Sequence, residues 1–445
     1  MRIVLGADEG RRTLLRRRPL AETELPAEVW RRTQAAVGEV TTLEEAVRRI
    51  LRDVREEGDA AVLRYCRAFD GATYSTLRVA PEEIHAAYDA VEPAVVEALR
   101  FAAERVRAFH EEQRRHVMES FQRDGVGVRV SPLARVGLYV PGTVAVYPST
   151  VLMTALPARA AGVEQVFVAS PADPEGHVSP LKLVAADLAG ADGVFRMSGA
   201  QAIAAFAYGT AEVPKVDKVC GPGNIFVTLA KREVFGEVGI DALYGPSETI
   251  VVADEAADPV LCAADLLAQA EHDELATPIL ITTTTTLAER VGEEVERQLA
   301  SLERREMARS AFEARGGAVV VDSLEEALLL ADEFAPEHLC LLVRDAPQWA
   351  TRVRNAGGVF VGEASPETLG DYTAGPSHVM PTAGTARFAS PLGVQDFLKA
   401  TSVVALDEAS LRALGPATAR IARAEGLTAH ARSIELRLGD GGTGQ

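Results

Sequence analysis

The sequence predicts an α/β fold: two Rossmann-like but incomplete parallel-sheet domains, a small N-terminal arm and a mostly helical C-terminal segment. Three observations carry that prediction. Short β-branched runs bounded by Gly and Pro alternate with Ala-rich helical text from residue 136 to 362, and such alternation calls for parallel strands covered by helices on both faces. The series falls into two groups. A chain of 445 residues is long enough for a large apolar core in each of at least two domains.

Taken in order, the first residues, MRIVLGADEGRRTLLRRRPL, read as an exposed arm: the apolar stretch precedes the charges, the reverse of a secretory signal, and Asp8 and Glu9 argue against a transit peptide. Residues 41–69 read as helical, with Thr42 and Glu45 spaced as a capping box and Leu43, Ala46, Ile50 and Val54 near helical period. A second helical block covers 81–119. Strands are expected at 136–140, 163–170, 193–197 and 215–220, with helices at 149–161, 179–189, 200–208 and 223–235. The second group expects strands at 248–253, 278–283, 317–322, 338–343 and 357–362, and helices at 258–271, 286–314, 323–334 and 345–355. Beyond Leu392 the text is mostly helical and ends in GDGGTGQ, expected to be disordered. The domains drawn from this are an arm at 1–31, a discontinuous domain of 32–138 and 247–392, a Rossmann-like domain at 139–246 and a C-terminal segment at 393–445.

Composition excludes several classes. Apolar residues make up 47% and charged residues 25%, as in ordinary globular proteins. The net charge of −18 repels a phosphate backbone, so nucleic acid is not an expected partner. No apolar run approaches the ~20 residues of a membrane span. Cys66, Cys220, Cys262 and Cys340 lie far apart without CxxC spacing, which fits a reducing cytoplasm and gives no thiolate zinc site.

Chemistry concentrates around a few residues. Gln269 and His272 in LLAQAEHDE lie three apart at the end of an expected helix and can face one ion. Two ligands do not close a coordination sphere, and Asp371 in GDYTAGPSHVM and His430 in GLTAHARSIELR are candidates to complete an N/O set suited to zinc or a similar divalent ion. Glu337 and His338 in FAPEHLCLL can flank one substrate carbon and move protons near neutral pH, provided the chain turns there; a solvated loop pair is the plain alternative. GPGN at 221–224 offers amides to a pyrophosphate at a helix start, or is a simple turn, and no GxGxxG is present. In GPSE, Ser247 and Glu248 are available to bond a ligand. Cys340 lies in an apolar strand and reads as a core residue, its pKa raised by burial, not as a nucleophile.

Together, GLYVPGTVAVYPSTVLMTALPARAAGV, VDKVCGPGNIFVTLAKREV, YGPSETIVVAD, LLAQAEHD, FAPEHL and NAGGVFVGEASPETLGDYTAGPSHVMPTAGTARF resemble the histidinol dehydrogenase family from about residue 30 to 435. The resemblance implies oxidation of L-histidinol to L-histidine through a bound histidinaldehyde with two NAD⁺, in the last steps of histidine biosynthesis. It implies zinc held by Gln269, His272, Asp371 and His430. Ser247, Glu425 and His378 fall at or beside substrate-contacting positions, and Tyr139, Gln201 and Asn224 at positions for NAD. His338 is implied as the base for the alcohol step and Glu337 as the base that activates water. A homodimer with exchanged terminal segments is implied, with His430 serving the partner's site. Two positions depart from the family pattern: Ser377 stands where Asn is common and Cys340 where an acid is common. Rival readings are a dehydrogenase for a related amino alcohol, a zinc metallohydrolase with Glu337 activating water, and a non-catalytic binding protein.

Overall fold

A computed structural model describes residues 1–17, 27–142 and 145–439. Its strands, in chain order, are β1 (Ile3–Leu5), β2 (Phe121–Arg123), β3 (Val126–Pro132), β4 (Arg135–Tyr139), β5 (Gln165–Ser170), β6 (Gly193–Arg196), β7 (Lys218–Cys220), β8 (Gly239–Ile240), β9 (Glu248–Ala253), β10 (Thr277–Thr282), β11 (Gly317–Val320), β12 (His338–Leu342), β13 (Gly358–Val361) and β14 (Leu398–Val404).

Two parallel sheets dominate. One has the order β6-β5-β4-β7-β8 and the other β1-β11-β10-β9-β12-β13. Counted from its first strand, the five-stranded sheet runs 3-2-1-4-5, the order of a mononucleotide-binding half, with its switch point between β4 and β7. The other repeats that order from β9, with β1 added at the edge. Residues of β9, β10 and β12 are all buried, as expected of strands covered on both faces. Apolar layers lie on each side of this sheet: Val251, Leu280 and Ala318 pack with Leu266 and Val291 on one, and Ile250, Ile281 and Leu339 with Leu330 and Phe334 on the other.

Local sequence signals account for many element ends. Thr42 and Glu45 form the expected capping box on the helix Leu43–Glu57. Gly58, at φ 63°, then splits the expected 41–69 helix in two. The long helix expected at 286–314 is likewise two, Thr285–Leu299 and Arg305–Arg315.

Two expectations need correction. The first residues are not an exposed arm: β1 pairs with β11, Ile3 to Ala318 and Leu5 to Val320, and Val4, Ala7 and Leu14 are buried in the core beside Val319. Segment 32–138 does not keep to the layer of 247–392. Its helices supply Val47, Ile50, Val54, Val62 and Tyr65 to the core under the five-stranded sheet, against Ile203, Phe206 and Ala230. The C-terminal segment is mostly helical, as expected, in Glu408–Ala424 and Thr428–Leu438, with the strand β14 ahead of those helices.

By internal contacts the chain forms two units, Met1–His116 with Leu133–Phe397, and Val117–Pro132 with Leu398–Gln445. The second holds the antiparallel sheet β14-β3-β2 and the helices Glu408–Ala424 and Thr428–Leu438, where Ala419, Ala422 and Ala431 form a small buried cluster. The expected disorder of the tail falls, beyond Gly439, outside the described residues. Among the described residues no helix is long and apolar enough to cross a membrane.

Candidate active site

A cavity of about 420 Å³ opens within the first unit, a size suited to a small-molecule ligand. On one side it is lined by the chain after β4 (Pro141, Gly142) and after β7 (Pro222, Gly223, Asn224). These are the carboxyl ends of the strands flanking the switch point, where open α/β sheets bind ligands. On the other side lie Ser247, Glu337 and His338, at the amino ends of β9 and β12. Gly221 shapes the first wall: at φ 111° its Cα faces the Tyr139 carbonyl so closely that a Cβ would overlap it. The Asn224 side chain accepts from the Phe226 and Val227 amides at 3.1 and 3.3 Å, so GPGN is both turn and helix cap, and Pro222, Gly223 and Asn224 face the cavity.

The condition on Glu337 and His338 is met, because the chain does turn. The helix Leu324–Phe334 ends at Ala335 in the left-handed region, φ 52°, which costs a non-glycine residue about 1–2 kcal/mol. Pro336 then redirects the backbone into β12. Both side chains are buried and both line the cavity, with Glu337 Oε2 3.8 Å from His338 Nδ1 and Asp371 Oδ1 3.6 Å from His338 Nε2. Burial pushes the Glu337 carboxyl well up from its usual range. Burial opposes the His338 imidazolium too, but Glu337, Asp371 and Glu367 outweigh it and hold its pKa up.

Gln269, His272 and Asp371 meet in this cavity. Gln269 closes the helix Pro259–Ala270, His272 follows in its C-terminal turn, and Asp371 comes from the helix Glu367–Tyr372. The Gln269 amide nitrogen and His272 Nδ1 are buried and bonded to nothing among the described residues, and an amide can turn its oxygen to that position. An amide, an imidazole and a carboxylate facing one cavity fit a divalent ion such as zinc. Among the described residues no group of three or more His, Cys, Asp or Glu stands ready to hold a metal. His430, the expected fourth ligand, belongs to the second unit. It lines a pocket there with Glu425 and Ile421.

Other expected residues divide. His378 lines the cavity, its ring nitrogens 2.8 Å from the Asp371 carbonyl and 3.1 Å from Thr150 Oγ1. Tyr139 and Gln201 do not reach it. The Tyr139 hydroxyl accepts from the Gly199 amide at 3.2 Å, and the Gln201 amide donates to Ser198 at 3.1 Å, both inside the five-stranded sheet's core. Glu248 is engaged by Arg17 instead of standing free. Sequence reasoning missed Tyr147, stacked on His272 with ring centroids 6.5 Å apart. It also missed Glu367, fully buried, which accepts from Thr249 Oγ1 at 2.9 Å. Thr249 pairs across the sheet with His338, so the Glu367 carboxyl lies on the imidazole's side. Neither carried a local signal. The two departures face inward: Ser377 donates to the Met153 carbonyl at 2.9 Å and is buried, and burial raises the Cys340 thiol far above its usual range.

Comparison with known proteins decides the lineage. Residues 33–438 match the family model for histidinol dehydrogenase. The chain belongs to the histidinol dehydrogenase family. It is 51% identical over 441 residues to the histidinol dehydrogenase of Deinococcus radiodurans, covering 98% of this chain and 100% of that protein. With the Moorella thermoacetica enzyme it shares 53% over 395 residues, covering 88% and 93%. The crystal structure of histidinol dehydrogenase from Elizabethkingia anophelis superposes with a TM-score of 0.86 at 32% identity, covering 99% of this chain and 98% of that one. Family membership makes the chain an oxidoreductase of histidine biosynthesis, and the non-catalytic and hydrolase readings fall.

Proposed function

We propose that the chain oxidises L-histidinol to L-histidine in two successive hydride transfers, at the cavity that brings Glu337 and His338 beside Gln269, His272 and Asp371. The observation that supports this most is that convergence: residues far apart in sequence put two proton-moving groups and three metal-type donors on one small cavity. Zinc would be held by Gln269, His272, Asp371 and His430 and, when bound, supplies a Lewis-acid anchor for the substrate's imidazole and amino nitrogens. NAD⁺ supplies the hydride acceptor, with Asn224 and the turn before it as its cavity-side contacts. Tyr139 and Gln201 remain family-implied contacts for it.

His338 takes the hydroxyl proton as the first hydride leaves. Glu337 then takes a proton from water attacking the aldehyde while the His338 imidazolium returns its proton to the aldehyde oxygen; neutral again, His338 takes a proton as the gem-diol gives up the second hydride, and both protons leave to solvent. Ser247 and His378, with Glu425 supplied by a second copy, orient the substrate. Burial of both bases keeps bulk water from the aldehyde, and fixed geometry lowers the barrier. Four buried free thiols and the absence of any covalent role for Cys340 suit a cytoplasmic enzyme. We take the active form to be a homodimer in which a second copy supplies His430 and Glu425.

The test is stoichiometry. NADH formed per histidinol consumed should be about two, and Glu337→Gln should spare the alcohol step while slowing the aldehyde step about 10²-fold or more. A ratio near one overturns the two-step assignment. Elemental analysis of purified His272→Asn should show loss of metal; full retention removes His272 from the ligand set.

A further inference from the structure

The turn that presents Glu337 and His338 is held by a side chain from outside the matched family segment. Arg17 precedes residue 33, where that match begins, and plays no part in the chemistry above. Its guanidinium makes three kinds of contact. It pairs with both carboxylate oxygens of Glu248, Nη2 lying 2.9 Å from Oε2. It donates to the Phe334 carbonyl from Nε at 3.1 Å and from Nη2 at 2.5 Å, and to the Ala335 carbonyl at 3.1 Å. It also lies over the Phe334 ring, 3.9 Å from its centroid.

Each contact bears on Glu337. The carbonyls of Phe334 and Ala335 end the helix that runs into the catalytic turn, and a basic side chain bonded to such carbonyls fixes the helix end. Glu248 stands on the neighbouring strand, and its amide donates to Glu337 Oε2 at 3.1 Å. A planar fork can hold all these acceptors in one geometry, whereas an ammonium cannot. Arg17 therefore braces both the backbone before Glu337 and the backbone that bonds its carboxylate.

We propose that Arg17 is a positioning residue for the water-activating carboxylate, holding Glu337 in register through Glu248 and the Phe334–Ala335 turn. The inference rests on the role assigned to Glu337. The charged groups facing Glu337 are His338, Glu248 and Asp371, and those facing Glu248 are Arg17, Arg315 and Glu337 itself. Without Arg17, the buried Glu248 carboxylate loses its forked partner beside a second buried acid. That disfavours the ionised, base-competent form of Glu337.

The experiment uses the full-length enzyme and follows two half-reactions across pH: oxidation of histidinaldehyde with NAD⁺, and its reduction to histidinol with NADH. For Arg17→Met, kcat for aldehyde oxidation should fall about tenfold or more, with the acid limb of its pH profile moved to higher pH. Aldehyde reduction and the KM for aldehyde should stay within about twofold. Arg17→Lys, which keeps the charge but loses the fork, should show the same displacement in smaller degree, and it serves alone if the Met variant does not fold. Equal losses in both half-reactions, or an unmoved acid limb in either variant, overturn the inference while leaving the Glu337 assignment standing. Glu337→Gln is the control: if it retains aldehyde oxidation, the assignment and the inference fall together.

Discussion

Replacing Lys231 with Met isolates the buried pair that sets the GPGN turn. Lys231 and Asp241 form an ion pair with both side chains almost wholly buried, at 1% and 2% exposure. Together they hold the Gly221 peptide by both ends. Lys231 Nζ donates to the Gly221 carbonyl at 3.0 Å, and the Gly221 amide donates to Asp241 at 2.7 Å. The variant keeps the volume but strands a carboxylate, and removing one partner of a buried pair costs about 3–5 kcal/mol. Asp241 retains the Gly221 amide and the Tyr244 hydroxyl, which donates at 3.0 Å, so the expected loss lies near the lower end, about 3 kcal/mol. Urea unfolding should show this as a lower midpoint at unchanged slope. Lys231→Met combined with Asp241→Asn should recover at least about 1 kcal/mol of the loss, because no charge is then buried alone. In the same variant the KM for NAD⁺ should rise, since the turn faces the cavity. A single variant that loses less than about 1 kcal/mol, or a double variant that shows simple additivity, would refute the reasoning.

Three further outcomes follow from other parts of the first unit. Burial lowers the Lys182 pKa to about 7, and its ammonium bonds only the Pro141 carbonyl and Ser170 Oγ, at 2.6 and 2.8 Å, among the described residues. The unfolded lysine titrates near about 10.4, so the unfolded chain binds more protons between those pH values and stability rises with pH across that window. Lys182→Met should therefore gain most over the parent below about pH 7, the gap narrowing toward pH 10 in denaturation series; a pH-independent gap would contradict this. Gly137→Ala places a methyl 2.6 Å from Phe206 ring atoms and should cost about 1–3 kcal/mol by thermal unfolding; a neutral result would show that the ring yields freely. All four thiols are buried, so a chromogenic disulfide reagent should find none reacting rapidly in the native protein and four after denaturation.

What the sequence made legible was whatever is written locally. The Thr42–Glu45 cap, the apolar runs Ile250–Ala253 of β9 and Leu339–Leu342 of β12, and the Asn224 cap after a glycine turn depend on neighbours within a few residues. The long-range partners were not legible. Ile3–Leu5 is a three-residue strand among charged residues, and its partner Ala318–Val320 lies more than three hundred residues on. Val126–Pro132 does alternate, with Val126, Val128 and Val130 behind an Asp124–Gly125 turn, a local hairpin signal that the sequence reading passed over, but its other partner, Leu398–Val404, lies far along the chain. Burial was illegible for the same reason: nothing around Glu367 distinguishes it from a solvated acid, yet Thr249 and Cys340 enclose it.

Convergence at the site follows from using opposite ends of two similar sheets. The five-stranded sheet offers the carboxyl ends of β4 and β7, where turns can face a ligand with main-chain amides. The six-stranded sheet, of the same internal order, offers the amino ends of β9 and β12. There the chain enters strands from tight turns, and those turns can carry charged side chains into a buried space, as Pro336 and left-handed Ala335 do for Glu337 and His338. Under the proposed function a dinucleotide would be met by backbone and a small polar substrate by side chains, at one cavity. The braces behind the two walls differ accordingly: the buried Lys231–Asp241 pair clamps a peptide on the first, and Arg17 holds a helix end and a carboxylate on the second. Loosening the first should show chiefly in the KM for NAD⁺ and loosening the second in the rate of the aldehyde step.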